Sequence, residues 1–280
     1  MASALAQQAV VDNVQGGKPQ RIVSLGLCTD QLLLMMVDHT RIAAITKDSK
    51  DPFISYMAAQ TADVENHNTT AEDIIRHQPD LVVSTSFGSP DTIRILKRLG
   101  YRVEVIPLPT KVDDIYPLLR QFGAWLGENE KAEAMVSSVR QRIAATEATL
   151  ANVPAETAVM YSPNGLVIGG DTLEDDILHR AGYRNLAAEA GIKFFQAISL
   201  ETLMLWKPEK ILLENGVNNR DSLAHAYIYH PAIRDLVGAG NTVEMPPHLR
   251  DCFGPMTADF IAYLATKHTP ALASTGGALP

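Results

Sequence analysis

Two α/β lobes with mostly parallel sheets, joined by one long helix, are what the sequence predicts, on three observations. Short β-rich runs alternate with amphipathic helical stretches from Arg21 to Pro107, and the same rhythm restarts after Pro154. Between them, residues 128–150 are dense in Ala, Glu, Arg and Met with almost no helix breakers. At 280 residues the chain is long enough for two domains of ordinary size. The expected division is a flexible segment over 1–20, an N-terminal α/β lobe over 21–127, a connecting helix over 128–150, a C-terminal α/β lobe over 151–267 and a flexible tail over 268–280. Both ends are rich in small residues, Gly and Pro.

The elements follow in order. Arg21-Ile22-Val23-Ser24-Leu25 reads as a strand, Asp30 to Val37 as an amphipathic helix, and Arg41 to Thr46 as a second strand. Helical Ala71 to Arg76 precedes the β-run Leu81 to Ser84, and Pro90 to Leu99 precedes Tyr101 to Pro107. Helical periodicity then runs from Val112 to about Leu150, broken near Gly123 to Gly127. In the second lobe Thr157 to Tyr161 is a strand, Asn164-Gly165 a hairpin turn, and Gly169-Gly170-Asp171-Thr172 a turn capping a helix over Leu173 to Ala181. Ser199 to Leu205 reads as helix, Lys210 to Leu213 and Thr242 to Met245 as strands, and Pro255 to Thr266 as the last helix.

Composition narrows the function classes. With 24 Lys and Arg against 32 Asp and Glu, the formal net charge is −8, which gives no general attraction to nucleic acid or an acidic membrane. Nucleic acid is therefore not an expected partner. No apolar run approaches the roughly 18 residues of a membrane span. Met1 to Gln8 lacks a basic segment and an apolar core, so the chain is either cytoplasmic or an export signal has been removed.

In open parallel sheets, ligands sit beyond the carboxyl ends of the strands, so the residues just after each β-run carry the information. The first lobe offers Cys28 and Thr29, Lys47, and the loop Ser84 to Ser89 with Thr85, Ser86 and Phe87. That loop also reads as a turn with a Ser-capped helix behind it, opened by Pro90. The second lobe offers Tyr161, Asn164, Glu214, and the loop from His248 through Arg250 to Phe253. Neither Gly-containing loop matches a P-loop or a complete dinucleotide fingerprint. Cys28 is open to two readings, a thiolate at a helix N-terminus or a buried inert thiol, and Cys28 and Cys252 either bridge or stay separate. The eight histidines form no metal motif. Arg250 suits a ligand carboxylate or chelate anion, or alternatively a rim salt bridge with Asp251. Tyr161, Phe195 and Tyr227 are candidates to stack on a flat ligand, against a default of core packing.

Taken together, Arg21 to Leu25 with Cys28-Thr29-Asp30, the element Thr70 to Val82, and its echo Ser199 to Leu203 followed by Lys207-Pro208-Glu209-Lys210-Ile211-Leu212 resemble one family. It is that of the periplasmic substrate-binding proteins of ABC importers for cobalamin, haem and iron-siderophore complexes. The resemblance covers most of residues 21–266. It implies a ligand cleft between two lobes joined by a fairly rigid helix, bordered by Tyr161 to Gly165 and His248 to Phe253. It implies a monomeric periplasmic protein with no catalytic cofactor, whose partners are a small-molecule metal chelate and a membrane-embedded ABC permease. Acidic residues on each lobe would dock to the permease, with Asp91 in the first and Glu214 or Asp221 in the second. Around the second cysteine the chain carries Leu249-Arg250-Asp251-Cys252-Phe253-Gly254 where relatives commonly show Trp and a Gly-Gly pair, so its pocket wall is more charged.

The expected function is capture of a chelate, foremost an iron-siderophore, with cobalamin and haem as alternatives. Arg250 and Lys47 suit an anionic siderophore, and haem would need an axial donor such as Tyr161 or His248. Two other classes compete. An α/β enzyme would need a constellation that matches no known signature, since no His-Glu metal motif or nucleophile elbow is present. An adaptor retaining the scaffold without transport is the third.

Overall fold

The computed structural model describes residues 17–214 and 241–268. The chain divides into two compact units: residues up to Leu108 with Tyr116–Val136, and Pro109–Ile115 with the chain from Ser137 onward.

The first unit carries a five-stranded sheet in the order β3-β2-β1-β4-β5, built from β1 (Ile22–Ser24), β2 (Ile42–Thr46), β3 (Asn66–His67), β4 (Leu81–Thr85) and β5 (Val103–Ile106). Every pairing is parallel, with Val23 opposite both Ala44 and Val82. Helices α1 (Leu27–Met36), α2 (Ala71–Arg76) and α3 (Pro90–Arg98) supply the crossovers. The strands read as continuous apolar runs because both faces are covered: Val23, Ala44, Ile74, Val82 and Leu96 form one buried cluster. Thr70 caps α2 by accepting from the Asp73 N–H. Ser89, expected to cap α3, makes no side-chain cap bond, and Pro90 at the first turn sets that start instead.

Two long helices follow, α4 (Val112–Leu126) and α5 (Asn129–Leu150). The break at Gly127 falls where the sequence placed it, with φ 72°. Buried Arg41, expected to begin a strand, sits in a 3₁₀ turn and donates to the carbonyls of Pro19 (2.8 Å) and Leu126 (2.6 Å) and to Glu128. It therefore satisfies a helix C-terminus that has no basic residue of its own.

In the second unit, β6 (Glu156–Ser162) pairs in parallel with β10 (Lys210–Glu214) and with β8 (Tyr183–Asn185), and β10 pairs in parallel with β11 (Thr242–Met245). An antiparallel arm, β7 (Leu166–Ile168) and β9 (Phe195–Ala197), extends from β6. Helices α6 (Leu173–Arg180), α7 (Leu186–Glu189), α8 (Leu200–Trp206), α9 (Pro247–Arg250) and α10 (Pro255–His268) complete it. Asn164 (φ 61°) and Gly165 (φ 73°) make the expected hairpin turn. Thr172 caps α6 by accepting from the Asp175 N–H while donating to the Gly169 carbonyl. The short strands β3, β8 and β9 escaped the sequence reading, because two- and three-residue runs carry too little periodicity. His248 to Arg250, expected as loop, is a helical turn opened by Pro247.

Candidate functional site

At the carboxyl ends of the first unit's strands the dominant feature is a buried carboxylate. Asp30, in the first turn of α1, is wholly buried, and its Oδ2 accepts from the Thr46 N–H (3.1 Å), the Thr46 hydroxyl and the Ser49 hydroxyl (2.5 Å). One carboxylate thus fixes the chain as it leaves β2. Burial pushes Asp30 up to about 6, while the hydroxyl and amide donors of Ser24, Ser49 and Thr46 pull the other way. Its Oδ1 has no hydrogen-bond partner. Beyond Thr46, Lys47 is exposed and donates to the Asn68 side-chain oxygen at 2.6 Å. With the bond donated by the Asn66 side-chain amide to the Thr46 carbonyl (3.1 Å), the β2 and β3 ends are tied by two polar contacts.

At the end of β4, Thr85 is buried while Ser86 is exposed and Phe87 has 85% of its surface in solvent. Of the candidates here, Phe87 is the one large apolar side chain free to cover a ligand. Thr29 is fully buried, its hydroxyl donating to the Gly26 carbonyl and meeting the Ser24 hydroxyl at 2.6 Å, so its polar group is already occupied. Cys28 and Cys252 are both disulfide-bonded, which removes the thiolate reading of Cys28. Asp91 is exposed at the first turn of α3 and pairs with Arg94 at 2.7 Å.

In the second unit the strand-end edge is a charged cluster. Arg250, at the end of α9, donates from Nη2 to Glu214 Oε1 (3.0 Å) at the end of β10 and to Asp251 Oδ1 (2.5 Å). Its side chain is only 12% exposed, and among the described residues its buried Nη1 has no hydrogen-bond partner. Of the two sequence readings of this arginine, the salt bridge with Asp251 is present. Burial raises Glu174, on α6, with Arg250 lowering it and Glu214 raising it. Burial likewise raises Asp251 against the pull of Arg250. His248 lies two residues earlier on α9 and is partly buried.

The aromatic candidates separate. Tyr161 is wholly buried, packed with Val159, Val167, Leu203 and Ile211. Phe253 is 3% exposed and belongs to the core. Tyr161 and Phe253 therefore pack the interior, and the stacking candidate in this unit is Phe195, exposed at 54% on edge strand β9. Asn164 is exposed at the hairpin tip. Tyr227 and Asp221 lie outside the described residues. Among the described residues, no group of three His, Cys, Asp or Glu side chains is arranged to hold a metal ion.

Sequence reasoning passed over two members of these clusters. Glu174 reads as an ordinary first-turn acid of α6. Asp30 stood inside the quoted Cys28-Thr29-Asp30 motif, but nothing in its neighbours shows that Thr46 and Ser49, sixteen and nineteen residues on, turn their hydroxyls onto it.

Residues 22–229 match the family model described as periplasmic binding protein. Among solved structures, a periplasmic heme binding protein from Pseudomonas aeruginosa is 25% identical, with 90% of this chain and 94% of that one aligned at a TM-score of 0.74. The periplasmic vitamin B12 binding protein of Vibrio cholerae is 15% identical, with 92% of this chain and 99% of that one aligned at 0.70. A component of an ABC-type Fe3+-hydroxamate transport system from Saccharomonospora viridis is 19% identical, with 90% and 93% aligned at 0.68. The last two likenesses establish the fold alone.

Proposed function

Because the chain belongs to the periplasmic binding protein family, we propose that its cargo is a metal chelate, specifically an anionic iron-siderophore, which it delivers to the permease of an ABC importer. Its place is the periplasm and its activity is binding rather than catalysis. The observation that carries the siderophore reading is Arg250. Glu214 and Asp251 hold the guanidinium in one orientation, and among the described residues the buried Nη1 has no acceptor. A carboxylate, hydroxamate or catecholate oxygen at that edge would complete its hydrogen bonding, and a charge-assisted bond is worth about 1.5–3 kcal/mol.

The test is titration calorimetry of the purified protein with ferric citrate, a ferric hydroxamate, haemin and cyanocobalamin. The siderophore reading expects one of the two ferric chelates to bind, with Arg250→Ala weakening it about tenfold or more. No binding of either ferric chelate, or an unchanged affinity in the variant, overturns it. Haem is the second reading, favoured by the Pseudomonas aeruginosa likeness, whose printed ligand is heme. It expects haemin to bind with a shifted visible absorption band, lost in His248→Ala.

A further inference from the structure

Away from these strand ends, the first unit has an open sheet edge lined with cations. We propose that α3 and β5 form a docking groove for an extended acidic segment of a partner protein, which adds to β5 as an outer strand. Strand β5 ends the sheet order and, among the described residues, pairs only with β4. The Val82 N–H donates to the Arg102 carbonyl (2.9 Å) and the Ser86 N–H to the Ile106 carbonyl (3.0 Å), with Val82 opposite Val103 and Ser84 opposite Val105. In a parallel ladder this turns the backbone groups of residues 102, 104 and 106 toward β4. Those of Val105 therefore point to the open side.

Val105 also lines a groove of about 620 Å³ whose apolar floor comes from Pro90 and Ile93 and whose wall carries Arg94, Lys97 and Arg98 from α3. Three cations on one nine-residue helix stand out in a chain of net charge −8. The one acid on that helix, Asp91, pairs with Arg94, and among the described residues Lys97 and Arg98 have no ion-pair partner. A strand-adding segment places alternate side chains on the α3 face, where acidic ones meet Lys97 and Arg98. Cations beside an edge also discourage self-pairing, but that role needs no apolar groove behind them.

The experiment uses the whole protein and two fluorescein-labelled octapeptides of alternating residues, valine with glutamate and valine with lysine, read by fluorescence anisotropy at low salt. The proposal expects the glutamate peptide to bind and the lysine peptide not to. Lys97→Glu combined with Arg98→Glu weakens binding tenfold or more. Val105→Pro, which removes the edge N–H without touching the β4 ladder, does the same. Hydrogen exchange at the Val105 amide of the unmutated protein slows when peptide is bound, a reading that stands if the proline variant does not fold. Absence of glutamate-peptide binding, equal binding of both peptides, undiminished binding by either folded variant, or unchanged Val105 exchange overturns the proposal. Binding to phosphatidylglycerol vesicles in place of peptide, abolished by the charge reversal, also overturns it in favour of a membrane surface.

Discussion

Replacing Asp30 with Asn isolates the cost of holding a buried carboxylate at the strand-end edge of the first unit. The wholly buried side chain has its pKa pushed up by desolvation from 3.8 to about 6, which no basic partner offsets. Between those two values the folded state binds a proton that the unfolded chain has released, so stability falls as pH rises through this window. Two units correspond to about 3 kcal/mol, at about 1.4 kcal/mol per unit. The Asn oxygen keeps the bonds donated by Thr46 and Ser49, and its NH2 takes the place of Oδ1, which has no hydrogen-bond partner. Leaving that amide unsatisfied costs about 1–3 kcal/mol at every pH, so the absolute change at pH 7 is small and the pH dependence is the signal.

The assay is urea unfolding of both proteins at pH 4, 5, 6, 7 and 8. Native-state interactions lower the pKa of Asp38, Asp73, Glu128 and Glu209, and these groups lose stability in acid instead. They are common to both proteins and cancel in the difference. The variant should gain about 2.4 kcal/mol on the unmutated protein between pH 4 and pH 7, most of it by pH 6, short of the full shift because pH 4 already lies above the unfolded value. Parallel curves would refute the reasoning, showing that Asp30 is protonated throughout or that water reaches it.

Other expectations follow from single contacts. Gly165→Ala puts a Cβ 2.6 Å from the Ile198 carbonyl at φ 73°, whereas Gly191→Ala at φ 83° meets open space. Thermal melts should show the first losing about 1–3 kcal/mol more than the second, and equal losses would remove the steric part of the argument. Thr172→Ala removes both the cap on Asp175 and the bond to the Gly169 carbonyl, and should cost about 1–2 kcal/mol in denaturant unfolding, with Thr172→Ser recovering most of it. Thiol titration of the unreduced, denatured protein should find no free thiol, and two after reduction, since both cysteines are disulfide-bonded.

What the sequence made legible divides along a physical line. Elements whose cause is local were readable. The parallel strands β1, β4 and β10 are continuous apolar runs, α2 and α8 open on Thr70 and Ser199, and the Asn164-Gly165 turn needs positive φ at two successive residues. The readable part of the site was also local: Arg250 and Asp251 are neighbours, so their pairing could be named in advance. What stayed hidden was set by contacts between distant segments. Tyr161 lies near the end of its strand just as Ser84 does, yet its ring is drawn into a core of Leu203 and Ile211, 42 and 50 residues away. Asp30 is buried because Thr46 and Ser49 return to it. Glu214 and Glu174 join Arg250 only because the end of β10, the start of α6 and the end of α9 meet. A strand-end rule therefore finds the edge on which a ligand group belongs, but which side chains on that edge remain available is decided by the packing behind it.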